Sequence, residues 1–224
     1  MKLQFISDVA CPWCAIGLNS LEMALARIGD GVKAELSFEP FELNPDMPPE
    51  GEEATAHLAR KYGRSPEELA AVRAMIRERG AEVGFTFGTR DRIWNTFDAH
   101  RLLHWAGTEG RQRELKHALL AAYHTHGENP GAPDVLVRLA GEVGLDAERA
   151  RRILASDEFS REVRQRMHHW QQLGINSVPS VIVDERYLIQ GGQPPEAFEQ
   201  ALRQIASESN APGREADQKD SAAA

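Results

Sequence analysis

An α/β fold, with one sheet-forming unit split around a long helical block, follows from three observations. Apolar residues alternate with a period of two near both ends of the chain and almost nowhere between them. From about residue 44 to residue 173 they recur instead at helical spacing. A strand–helix–strand pattern opens the chain, and a right-handed crossover would lay its two strands parallel.

The opening strand runs over Leu3 to Ser7. A helix follows from Cys11 to about Ile28, with Leu18, Leu21, Leu25 and Ile28 on one face and Gly29 to Gly31 as its stop. Val32, Ala34, Leu36 and Phe38 alternate as a second strand over Val32–Glu39, closed by Pro40. Asn44 to Gly51 is a loop. Ser65-Pro66-Glu67-Glu68 supplies an N-cap, a proline at the first helical position and a glutamate three after the cap. Further helices are expected from Asn95 or Thr96 to Gly107, Glu109 to His126, Pro133 to Val143, Ala147 to Ala155 and Asp157 to Leu173. Ser180-Val181-Ile182-Val183, a turn at Asp184-Glu185 and Tyr187-Leu188-Ile189 then form a hairpin. A last helix carries Phe198, Ala201, Leu202 and Ile205.

Neither half of such a sheet can bury its faces alone, so the halves reunite into one layer with helices on both sides. The expected organisation is one split domain over residues 1–43 and 174–207, an inserted all-helical subdomain over 44–173, and a small, polar, disordered tail over 208–224.

Composition narrows the function classes. The chain has 224 residues, 42% of them hydrophobic and 27% charged, with a net charge of −8. Its basic residues are interleaved with acidic ones, as in Arg77-Glu78-Arg79, or scattered along helices, which argues against a nucleic-acid partner. No stretch reaches about 18 apolar residues, so no membrane-spanning helix is expected. Met1 leads directly into the first strand without the apolar core of a secretory signal, and a cytoplasmic location is the expectation.

The chemistry lies in Cys11-Pro12-Trp13-Cys14, which holds both cysteines of the chain. A strand that feeds a C-x-x-C at the start of a helix is the arrangement of thioredoxin-like redox proteins. The predicted fold is therefore α/β, a thioredoxin fold with a large inserted helical subdomain. At a helix N-terminus, unpaired backbone N–H groups and the dipole stabilise a thiolate. Cys11 is read as the exposed nucleophile and Cys14, one turn further in, as the resolving thiol. Pro12 presets the helical turn and Trp13 offers a contact for substrate. Asp8 has two readings, relaying a proton from Cys14 or ending the first strand.

A structural zinc site would need a second cysteine pair, and none exists. His100 and His104 stand four apart on one helix, yet no histidine has a carboxylate or cysteine partner at a telling interval. No metal is expected, and the histidines read as surface or partly packed side chains. Val178-Pro179 opens the returning strand, since proline cannot sit inside a paired central strand. Beside a C-x-x-C motif a cis bond is expected there, with the Val178 backbone facing Cys11.

Ser7-Asp8-Val9-Ala10-Cys11-Pro12-Trp13-Cys14, Phe41-Glu42-Leu43-Asn44-Pro45-Asp46-Met47, Asn95-Thr96-Phe97-Asp98, Val178-Pro179 and Gly191-Gly192-Gln193-Pro194 together resemble the FrnE-like branch of the DsbA family. The resemblance runs over about residues 3 to 205. It implies a thiol–disulfide oxidoreductase without a bound cofactor, acting on protein or small-molecule disulfides, with Cys11 as nucleophile, Cys14 as resolving thiol and Val178-Pro179 as the cis-proline pair. Ser177 and Ser180 depart from the glycine and aromatic residue that commonly flank that pair, which alters polarity beside the nucleophile. Glutathione-dependent isomerases and kappa-class transferases share the Asn95-Thr96-Phe97 region. Glutathione thus stands as a candidate co-substrate, although a full dithiol favours electron exchange over thiolate binding.

Overall fold

A computed structural model describes residues 1–210. β1 (Lys2–Ser7), α1 (Pro12–Ile28), a 3-10 turn over Gly29–Gly31 and β2 (Glu35–Pro40) form the opening unit. The second strand starts three residues later than its alternation suggests and includes Pro40. β1 and β2 are parallel, with Leu3 opposite Leu36 and Phe5 opposite Phe38.

The middle of the chain is helical but not wholly so. β3 (Glu52–Glu53) leads into α2 (Ala54–Tyr62) and α3 (Pro66–Glu82), and β4 (Arg92–Ile93) pairs antiparallel with β3. The expectation of an all-helical insertion is corrected by this two-residue ladder. Strands so short carry no periodicity to read. α2 was also unmarked in the sequence; Glu53 caps it, accepting hydrogen bonds from the backbone N–H groups of Thr55 and Ala56. α3 carries the full capping box between Ser65 and Glu68.

α4 (Phe97–Thr108), α5 (Gln112–His124), α6 (Pro133–Glu142), α7 (Ala147–Leu154) and α8 (Ser160–Gln172) follow. α5 and α8 each start three residues later than expected. β5 (Ser180–Val183), β6 (Tyr187–Gln190) and α9 (Pro195–Asn210) complete the chain. The proposed tail begins at 208, where α9 still continues to Asn210; its remainder lies outside the described residues.

The two ends do reunite. The main sheet has the order β2-β1-β5-β6, with β1 antiparallel to β5 and β5 to β6. The period of two sorts β1 between its faces. Leu3 and Phe5 join α1 and α9 residues such as Leu18 and Phe198 in one core, whereas Ile6 packs with Trp170 of α8 and Ile175 on the other face. The first core also takes in Ile76 of α3, Val83, Phe85, Phe87 and Leu120 of α5, so the helical block seals one face of the sheet. Its own core is built around α4 to α7, from Leu102 and Leu119 to Ile153.

β2 is an edge strand, and two contacts finish it. The Gln112 side chain pairs with both the N–H and the carbonyl of Phe38, each at 3.0 Å, as a neighbouring strand would. Buried Glu39 is bonded by Arg166 at 2.6 Å and by the Trp170 indole at 3.1 Å, which pins α8 to the sheet.

Candidate active site

Strand β1 ends at Ser7, and α1 begins five residues later at Pro12. Cys11 is the N-cap of that helix, with extended backbone angles (φ −87°, ψ 115°), and Pro12 fills the first helical position. The first turn of α1 contains no acidic residue. Both cysteines are free thiols, and the described residues contain no disulfide.

Cys11 is 4% exposed and Cys14 fully buried. The expectation of an exposed nucleophile is corrected in detail: Cys11 is nearly buried and lines a groove of about 970 Å³. Pro12, Trp13, Val178, Asn44 and Lys61 also line that groove. The Val178–Pro179 peptide bond is cis. The Cys11 sulfur lies 3.6 Å from the Val178 carbonyl oxygen, within reach of a weak S–H···O bond.

The two sulfurs differ in environment. The Cys14 side chain hydrogen-bonds the Cys11 sulfur, and this lowers the Cys11 pKa against the opposing effect of burial. The backbone N–H groups of Cys14 and Trp13 add to the lowering, while the Asp8 charge opposes it. Burial holds the Cys14 thiol well above its ordinary value, and its bond to Cys11 pushes it further up. The surroundings thus favour ionisation at Cys11 and disfavour it at Cys14.

Gly17 lets the cis-proline loop approach. A Cβ there would meet Pro179 Cγ at 3.0 Å and the Gly192 Cα at 3.3 Å. Gly192 in turn packs close to the Trp13 carbonyl, where a Cβ would come within 3.1 Å. The C-x-x-C turn, the cis-proline loop and the Gly191-Gly192 bend therefore pack as one unit.

Asp8 is buried beneath the turn. Its carboxylate accepts hydrogen bonds from the Ala10 N–H (3.1 Å), the Leu43 N–H (2.7 Å) and the Thr96 hydroxyl (2.7 Å). Burial raises its pKa, but the donors around it, His100 foremost, hold it below the usual carboxylate value. Glu42, on the groove wall, goes the other way: burial, reinforced by the Asp8 charge, pushes it to about 7.

His57, His100 and His124, read from the sequence as surface or partly packed side chains, are buried. His100 Nε2 lies 3.5 Å from Asp8 Oδ1, a pairing across sequence-distant segments that no local interval reveals. His57 bridges Glu52 and the side-chain oxygen of Asn44. Asn44 Oδ1 also accepts from Lys61 Nζ at 2.7 Å. Buried Lys116 was missed too. Its signal was a lysine set among Leu115, Leu119 and Leu120 on the apolar face of α5.

The DSBA-like thioredoxin domain matches residues 2–203. The chain belongs to that family. The DsbA-like proteins are thiol–disulfide oxidoreductases, and the chain is an enzyme of this class. A solved structure of a probable DsbA oxidoreductase from Streptomyces coelicolor is 35% identical, with a TM-score of 0.89, and covers 97% of this chain and 94% of its own. An uncharacterized Bacillus subtilis protein, YwbO, is 24% identical over 90% of this chain and 96% of its own length. A 2-hydroxychromene-2-carboxylate isomerase structure shares the fold at 12% identity and a TM-score of 0.68, covering 93% of this chain and 98% of its own. No helix among the described residues is long and apolar enough to cross a membrane.

Proposed function

We propose that this DsbA-like protein exchanges disulfides through Cys11 and Cys14, and that it falls in the FrnE-like branch of its family. One observation carries the reading: the Cys11 sulfur sits at the N-terminus of α1, bonded by Cys14 and the amides of the first turn, and Cys11 lines a groove open to substrate. The Cys11 thiolate attacks a substrate disulfide and forms a mixed disulfide, and one substrate sulfur leaves. Cys14 then attacks Cys11, closing the intramolecular disulfide and releasing the second substrate thiol. The Val178 backbone and Trp13 hold the substrate chain beside the sulfur.

In the cytoplasm, the compartment expected for this protein, the glutathione pool keeps the pair reduced, so the favoured direction is reduction or isomerisation of substrate disulfides. Cys11→Ser is expected to abolish insulin reduction, and Cys14→Ser to accumulate substrate-linked protein on non-reducing gels. Parental turnover in the Cys11→Ser protein would rule the reading out.

A second reading is supported by charge. In a chain of net charge −8, the groove wall carries Lys61, Arg64, Arg73, Arg77 and Arg90 against Glu42, Glu53 and Asp91. That wall suits the two carboxylates of glutathione, either as co-substrate of the exchange or as cofactor of an isomerase or transferase of the hydroxychromene-carboxylate or kappa class. Calorimetry separates the cases. Glutathione binding together with isomerase or transferase activity that survives Cys14→Ala would favour the second. No binding at millimolar glutathione would dismiss it.

A further inference from the structure

Strand β2 meets α4, α5 and α8 around a cavity of about 90 Å³ that shares no lining residue with the substrate groove. Its polar walls are Glu39, His100, His104, Gln112, Lys116 and Arg166. The Arg166 side chain is 45% exposed, so the cavity reaches the surface there, and its volume is several times what one water needs. Four buried side-chain nitrogen or oxygen atoms among the described residues lack a hydrogen-bond partner, and two of them, Lys116 Nζ and His100 Nε2, belong to residues of this wall. Lys116 is fully buried, and His100 Nε2 has only its long 3.5 Å approach to Asp8.

The acceptors nearby are already taken. Glu39 accepts from Arg166 and from the Trp170 indole, and Asp8 accepts from Ala10, Leu43 and Thr96. The Gln112 side chain is spent on Phe38 and Leu103. The donors are in surplus. Lys116 Nζ carries three N–H groups when charged, and Arg166 uses Nε and Nη2 on Glu39, which leaves Nη1. Arg166 and Glu39 balance each other, whereas the Lys116 ammonium has no counter-ion in hydrogen-bond contact. Surplus donors and one unbalanced cation suit a ligand that only accepts and is negatively charged.

We propose that this cavity binds one small inorganic oxyanion, of the size and shape of phosphate, held by Lys116 and Arg166 with His100 beside it. The ion gives the buried amine the partner that an enclosed polar group needs. Burial disfavours the ammonium, and a negative ligand in contact offsets that cost. The enclosed volume favours the free ion over a larger phosphorylated molecule. Because the wall is assembled from a strand and three helices, the site exists only in the folded chain, and its occupation stabilises the fold. The inference stands independently of the disulfide-exchange reading.

Calorimetry of the full chain with sodium phosphate tests it. The parent is expected to bind one phosphate. Lys116→Met is expected to bind at least about tenfold more weakly, the loss of one charge-assisted hydrogen bond. Arg73→Gln, on the wall of the substrate groove, is expected to leave the affinity within about twofold of the parent. No binding by the parent, equal binding by Lys116→Met, or a loss confined to Arg73→Gln would overturn the proposal. Should Lys116→Met not fold, crystals of the parent grown with selenate decide. A selenium anomalous peak between Lys116 and Arg166 supports the site. Selenate found only elsewhere, or ordered water alone in the cavity, overturns it.

Discussion

Asp8 and Glu42 lie beneath and beside one dithiol, yet their surroundings drive their protonation in opposite directions. Asp8 is ringed by donors, so its folded-state pKa falls below 3.8. Its contribution to stability is complete above that value and is lost as pH falls through the lower folded value. Asp8→Ala would leave the Leu43 and Ala10 N–H groups unpaired and cost about 3 kcal/mol at neutral pH, read by urea unfolding. Glu42 has the opposite sign. Its folded pKa rises from 4.5 to about 7, so its charge opposes folding above pH 7 and the penalty vanishes below 4.5. Glu42→Gln is therefore expected to raise Tm more at pH 8 than at pH 5. An equal shift at both pH values would contradict the assignment of Glu42 as a carboxyl held neutral.

At the scale of elements, α1 does most to build the site. It sets Cys11 at its cap, turns Cys14 inward and places Gly17 against Pro179. Gly17→Val forces atoms into the 3.0 Å approach to Pro179. It is expected to cost about 1–3 kcal/mol, as overpacking does, and to slow turnover by displacing Val178 from Cys11. Thermal unfolding and insulin reduction check the two effects together. Helix α7, none of whose residues line the groove, offers a control, since Asp146→Ala removes the cap that accepts from the Glu148 and Arg149 N–H groups and should cost about 1 kcal/mol without changing turnover. Elements with a strong period or cap were legible in the sequence, as β1, α1, α3 and the β5–β6 hairpin show. The β3–β4 ladder was not, because two residues per strand leave nothing to count, and its partners lie about forty residues apart.

Taken as a whole, the molecule does not divide cleanly at the ends of the helical block. Ile76, Phe85, Phe87 and Leu120 lie in the same core as Phe5 and Leu18. Far-ultraviolet circular dichroism and tryptophan fluorescence are accordingly expected to report a single coincident unfolding transition. Two separated transitions would show that the block and the sheet are energetically independent. The dithiol and the proline loop were legible because their spacing and position mark them locally. His100, Lys116 and the Asn44–His57–Lys61 network were not, because each depends on segments that meet only after folding. Alkylation by iodoacetamide across pH reads whether Cys11 is the thiolate nucleophile proposed for the start of α1. At pH 6 Cys11 is expected to react at least about tenfold faster than a cysteine in an unfolded peptide. Equal rates there would contradict it.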